Sequence, residues 1–387
     1  MIRNRRLSHG VLRSIASSIA PPSFFAAAGI VSSVFCGCAS TILETPEPVS
    51  SGQPGAAAQP DSRPISITFD TQAAQAFIDW ANSSALAPPE GWQSWRPYAL
   101  TRLWAQSSGV PDPDQEVVRA LEEIARARRE GTGGARLEGL RQLMRGLLER
   151  RQWFLDDGLD LLRTYLPEGT PIDGEVVVTL FIPPFAFTWI GDDVASVVID
   201  LDSDFWRGDP DIITNLLVHE FFHVGFCHHQ SSGSLNGNET VPALIDNILW
   251  QVQNEGMATY VGYRARTASL TIRDYQLMDT PDEVTRRFEM IRQLLADASR
   301  AHVEDIGSIE ERLWNEGVRE RAFYVVGATM ARRIEESSGH ERLVETVRRG
   351  PRAFFEEFAV TNPPAQHMLS VPVPSGQSVP EDSSNAN

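Results

Sequence analysis

The run Leu-Leu-Val-His-Glu-Phe-Phe-His-Val-Gly-Phe at positions 216–226 constrains this chain more than any other stretch. Around a helical turn it is apolar on every side, apart from His219, Glu220 and His223. A helix of that kind is a buried one. Burying a carboxylate and two imidazoles costs free energy unless each finds a partner. Residues four apart in a helix share a face. His219 and His223 can therefore aim two ring nitrogens at one zinc ion, about 2.0–2.1 Å from each. Glu220, next to a ligand, is placed to take a proton from water. The bland alternative is two tolerated core histidines beside an exposed glutamate. No other carboxylate lies between Leu216 and Phe226, which favours the metal reading.

Composition excludes several chemistries. All 34 basic residues are arginine, because the chain contains no lysine. A phosphate-binding Walker lysine, a lysine Schiff base and a lysine nucleophile are therefore ruled out. Formal net charge is −17. A phosphate backbone would be repelled, so no nucleic-acid partner is expected.

Residues 1–38 read as an export signal. Arg3, Arg5, Arg6 and Arg13 precede an apolar run, which ends in Cys36-Gly37-Cys38. Gly before Cys resembles the end of a bacterial lipobox, with Cys38 as the lipidated residue, although Phe35 stands where Leu is usual. The expected location is the cell envelope, with membrane attachment through Cys38 and the domain facing the periplasm or exterior. Processing before Cys38 would make the lipidated Cys38 the first residue of the mature chain and leave Cys227 as its one free thiol, so no disulfide framework is expected.

Residues 39–64 are rich in Pro, Ser, Gly and Ala and read as a flexible linker. Residues 65–170 read as an N-terminal helical region, with Asp70 capping a helix that carries Ala74, Phe77, Ile78 and Ala81. Further helices are expected over 113–130 and 135–166. Trp92, Trp95 and Trp104 are read as packing residues rather than cleft walls. Residues 175–182 and 196–201 have strand composition. A helix then starts at Asp209, with Pro210 in its first turn, and runs to Cys227. A loop over 231–238 and a second helix over 241–267 follow, then three more segments to about residue 358. Residues 361–387 read as a disordered tail. The catalytic unit is placed at 171–360.

A catalytic zinc ion wants three protein ligands and an open position. Glu255 sits on a helix stripe with Leu244, Ile248, Val252, Thr259 and Gly262, a carboxylate on an apolar and small-residue face. His229 is the rival, ten residues after His219, as in HExxHxxGxxH. That pattern wants Gly at 226, where this chain has Phe226, with Gly225 one residue early. Glu255 is preferred, with Cys227, His228 and Asp246 as lesser candidates.

His219-Glu-Phe-Phe-His223 followed by Asn254-Glu255-Gly256-Met257-Ala258 resembles the gluzincin metallopeptidases. A closer likeness is to a little-characterised bacterial group of zinc-dependent peptidases, through 323–335 and 340–344 as well, over about 172–358. The resemblance implies one Zn2+ ion held by His219, His223 and Glu255, and hydrolysis of a peptide or protein substrate with Glu220 as general base. It implies an α+β, mostly helical fold, with a gluzincin-like core in which a short sheet overlies the HExxH helix. In such enzymes an edge strand aligns the peptide, and 196–201 is the candidate here. Thermolysin-like members place an Asp where this chain has Thr259, so support for a histidine ligand falls to Asp202 or Asp246. Tyr324 is the candidate oxyanion donor, against a packing role. A zinc-binding envelope lipoprotein without turnover is the alternative function.

Overall fold

The computed structural model describes residues 66–361, apart from 86, 109–112, 183–184, 192–193 and 231–236. The expected signal, linker and tail lie outside the described residues. The fold is α+β and mostly helical, with one four-stranded sheet. In chain order the elements begin with β1 (Ile67–Asp70), α1 (Gln72–Asn82), α2 (Arg96–Ser108), α3 (Asp114–Arg129), α4 (Gly134–Trp153) and α5 (Leu159–Thr164). Then come β2 (Gly174–Thr179), β3 (Ala186–Ile190), β4 (Ala195–Asp200), α6 (Pro210–Cys227) and α7 (Val241–Ala265). The chain continues through α8 (Arg273–Met278), α9 (Pro281–Arg300), α10 (Ile306–Arg312), α11 (Ala322–Ser338), α12 (His340–Arg349) and α13 (Pro351–Thr361).

Strand order in the sheet is β1-β2-β4-β3. β1, β2 and β4 run parallel, and β3 returns antiparallel to β4. β4 is buried along its whole length, because it is paired on both sides and covered by helices. The expectation that 196–201 forms the edge strand is therefore corrected: β1 and β3 are the edges, and β3 is the one that flanks β4. β3 follows β2 in the chain and pairs antiparallel with β4 on the side that β2 leaves free. β1 comes from the region read as helical, and its pairing with β2 joins that region to the same sheet.

Below the sheet lies α6, capped by Asp209, whose Oδ1 accepts a hydrogen bond from the Asp211 amide at 2.9 Å. Residues 212–226 are all buried, as an all-round apolar helix requires. α6 contacts β3, β4 and α4 on one side and α7 on the other. α7 in turn packs along α11, at a backbone crossing between Gly256 and Gly327. A methyl group on Gly327 would overlap the Val252 carbonyl, so only glycine permits this approach. One continuous core runs from Ile67 to Phe358, and it buries Trp92 and Trp104. Glu335 of α11 ties the helices together. It accepts from the Tyr165 and Tyr260 hydroxyls at 3.1 and 2.5 Å and pairs with Arg264 and His340.

Cys227 lies partly exposed at the end of α6. Among the described residues no helix is long and apolar enough to cross a membrane.

Candidate metal centre

α6 and α7 bring His219, His223 and Glu255 together, all buried, with one ligand atom of each within 4.8 Å of the others. The two Nε2 atoms lie 3.1 Å apart, and Glu255 Oε2 is 3.5 Å from His219 Nε2 and 3.6 Å from His223 Nε2. Ligands at about 2.05 Å from a tetrahedral ion are separated by about 3.3 Å, so the triangle has the edges that zinc requires. His229 stands elsewhere, with its Nε2 at 2.7 Å from Thr170 Oγ1. Asp246 pairs with Arg352 at 2.5 Å.

The second nitrogen of each imidazole is also engaged. His223 Nδ1 donates to Asn254 Oδ1 at 2.8 Å, and the His219 ring hydrogen-bonds to the Ala258 backbone. Both contacts leave Nε2 as the acceptor atom, turned toward the common point. α7 therefore supplies a candidate ligand at 255 and ring supports at 254 and 258 from one turn of a helix. Asp202 is occupied by Arg136 and Asp246 by Arg352, so neither provides the support sought for a histidine. That expectation is corrected: the main chain and Asn254 stand in for the missing aspartate.

Burial lowers both imidazoles to about 4, so they are neutral, the form in which they bind metal. Burial also raises Glu255 to about 7, against the pull of His223. Glu255 Oε2 has no hydrogen-bond donor among the described residues. Three buried acceptor atoms facing one another, without a donor, are stabilised by a cation and by little else. The residues present thus fit a zinc ion.

Glu220 is fully buried beside this group. Thr188 of β3 donates its hydroxyl to Glu220 Oε2 at 2.6 Å, which sets the direction of the carboxylate. Tyr324 of α11 stacks on His219, with ring centres 6.2 Å apart and planes 12° from parallel. Burial pushes its hydroxyl well above the ordinary tyrosine range, so it keeps its proton. On the Tyr324 ring lies the Arg321 guanidinium, 3.1 Å from the ring centre. Arg321 is buried and bonds Asp274 of α8 through Nε at 2.9 Å and Nη2 at 2.6 Å. Burial opposes its charge, but Asp274 and Tyr324 outweigh that and raise its pKa.

The helical period had marked His219, Glu220, His223 and Glu255, and the structure brings the two histidines and Glu255 together. Thr188 and Arg321 were missed. Thr188 belongs to a strand that was not foreseen. Arg321 is one of 34 basic residues counted, and its left-handed backbone (φ +65°) leaves no trace in composition.

A family model described as "Putative zinc dependent peptidase (DUF5700)" matches residues 133–359, more than half of the chain. A search of curated proteins found no match, and a search of solved structures found none.

Proposed function

This chain belongs to that zinc-dependent peptidase family, and on this premise we propose that it hydrolyses peptide bonds in the bacterial cell envelope, with one zinc ion held by His219, His223 and Glu255. The observation that carries the reading is the buried ligand triangle with its donorless carboxylate oxygen, directly beside a second buried carboxylate, Glu220. Zinc in such a site supplies a Lewis acid that brings the pKa of water toward 7 and polarises a carbonyl group. Glu220 accepts the proton of the attacking water and returns it to the leaving amine. Thr188 holds Glu220 in the orientation this transfer needs. Tyr324, whose proton is retained, donates toward the developing oxyanion. The outer edge of β3 is the surface along which an extended peptide aligns, because β4 has no unpaired side. Envelope placement, with attachment through Cys38 and a linker over 39–64, rests on sequence alone.

Metal analysis and hydrolysis of a mixed peptide pool test this directly. The wild-type protein is expected to carry about one zinc per chain, lost in Glu255→Ala and kept in His229→Ala. Glu220→Gln is expected to keep the zinc and lose hydrolysis. Less than about 0.1 zinc per chain, or undiminished cleavage by Glu220→Gln, would end the proposal.

A further inference from the structure

A cavity of about 20 Å³ opens against His219, between the start of β3, the segment before α6, and helices α6, α7, α8 and α11. About 10–15 Å³ of such volume holds one water molecule, so this space takes one or two heavy atoms. Phe205, Leu216 and Tyr275 form apolar walls, and Thr259 and the Arg321–Asp274 pair form a polar one. The walls are braced. Tyr275 donates its hydroxyl to Asn215 Oδ1 at 2.5 Å, and Asn215 Nδ2 donates to the Gly262 carbonyl at 2.7 Å. Arg321 is fixed by its two bonds to Asp274. Widening the cavity would break these buried contacts and leave their polar atoms unpaired. A second observation points to an occupant. Thr259 Oγ1 is buried and without a hydrogen-bond partner among the described residues.

We propose that this cavity is a specificity pocket, and that the residue it receives beside the scissile bond is small: alanine, serine or glycine. This rests on the peptidase reading above and names its substrate class. An alanine methyl fills the space, and a serine hydroxyl also meets the unpartnered Thr259 oxygen. Leucine or phenylalanine requires displacement of the braced walls.

The test uses zinc-loaded protein and hydroxamates built on Gly, Ala, Ser, Leu and Phe, in two sets that place the side chain on the acyl or the amine side of the zinc-binding group. Dissociation constants are measured by calorimetry. In at least one set, Ala or Ser is expected to bind about tenfold or more tightly than Leu and Phe. Phe205→Ala, which truncates a half-buried wall, is expected to shift that preference toward Leu by a similar factor. Equal or tighter binding of Leu and Phe in both sets, no binding of any member, or an unchanged preference in Phe205→Ala would overturn the proposal. Failure of the peptidase reading is seen separately, as the absence of Glu220-dependent cleavage of a peptide pool by the same zinc-loaded protein.

Discussion

At the scale of single residues, the centre is a set of buried acceptors placed to hold one cation, and His219, His223 and Glu220 each have a partner behind them. Thr188 is the partner of Glu220. A hydrogen bond to a carboxylate is worth about 1.5–3 kcal/mol. Thr188→Val is therefore expected to lower kcat about tenfold or more while zinc content stays at wild-type level. Thr188→Ser is expected to restore most of the rate. Equal kcat for Val and Ser would sink the positioning role. Glu255 leads to a second expectation. Its carboxyl is raised to about 7, so below neutrality it must lose a proton before it can bind metal. The imidazoles, lowered to about 4, stay neutral until the pH is far more acidic. Zinc affinity, measured by chelator competition, should weaken about tenfold for each pH unit below 7 down to about 5, and one proton should be released per ion. In Glu255→Gln the affinity is lower and that slope flattens; a slope unchanged by the substitution would contradict the assignment.

At the scale of elements, the site depends on how closely α7 and α11 approach. Gly256 follows Glu255, and Gly327 lies one turn after Tyr324, so the crossing sets both side chains against His219. In an isolated helix Gly→Ala gains about 1 kcal/mol. Here a methyl on Gly327 meets the Val252 carbonyl, and overpacking against backbone costs about 1–3 kcal/mol or more. The steric term wins. Gly327→Ala is expected to lower the urea midpoint and to loosen zinc binding together; a stabilised variant would show that the crossing is not tight. The sequence carried part of this. Helices 6 and 7 were readable because apolar residues recur with the helical period and because Asp209-Pro210 marks a start. β3 was not, because five residues after a Pro-Pro pair offer no long alternation, and the role of peptide-aligning edge strand fell to 196–201 instead. Thr188 was missed with it. Asn254 was in the quoted motif, but its role emerges only when α7 lies beside α6 and puts Oδ1 at 2.8 Å from the His223 ring.

At the scale of the whole molecule, the family match and the folded unit do not coincide. The match begins at residue 133, within the turn before α4. The sheet begins at β1, whose register pairs Ile67 with Gly174 and Asp70 with Val177. α1 lies against β2 and buries Phe77, Ile78 and Trp80, while α2 buries Tyr98 and Trp104. Tyr98 donates its hydroxyl to the Leu180 carbonyl at 2.9 Å and receives a bond from Thr179, at the end of β2. These contacts were invisible in the sequence, because helical periodicity shows which face is apolar and not which strand will cover it. Each of those large side chains contributes about 1.5–3 kcal/mol through burial. Five of them together rival the whole net stability of a domain, about 5–15 kcal/mol. A fragment 133–361 is therefore expected to aggregate or to show no cooperative unfolding, and to hold zinc poorly, because β2 is left as an open edge over the α6 helix. A fragment 66–361 is expected to unfold in one transition and to keep its zinc. Circular dichroism through a denaturant series, with metal analysis of both fragments, checks this. A cooperative, zinc-loaded 133–361 fragment would mean that β1 and the first three helices are an addition to the metal-binding unit rather than part of what holds it together.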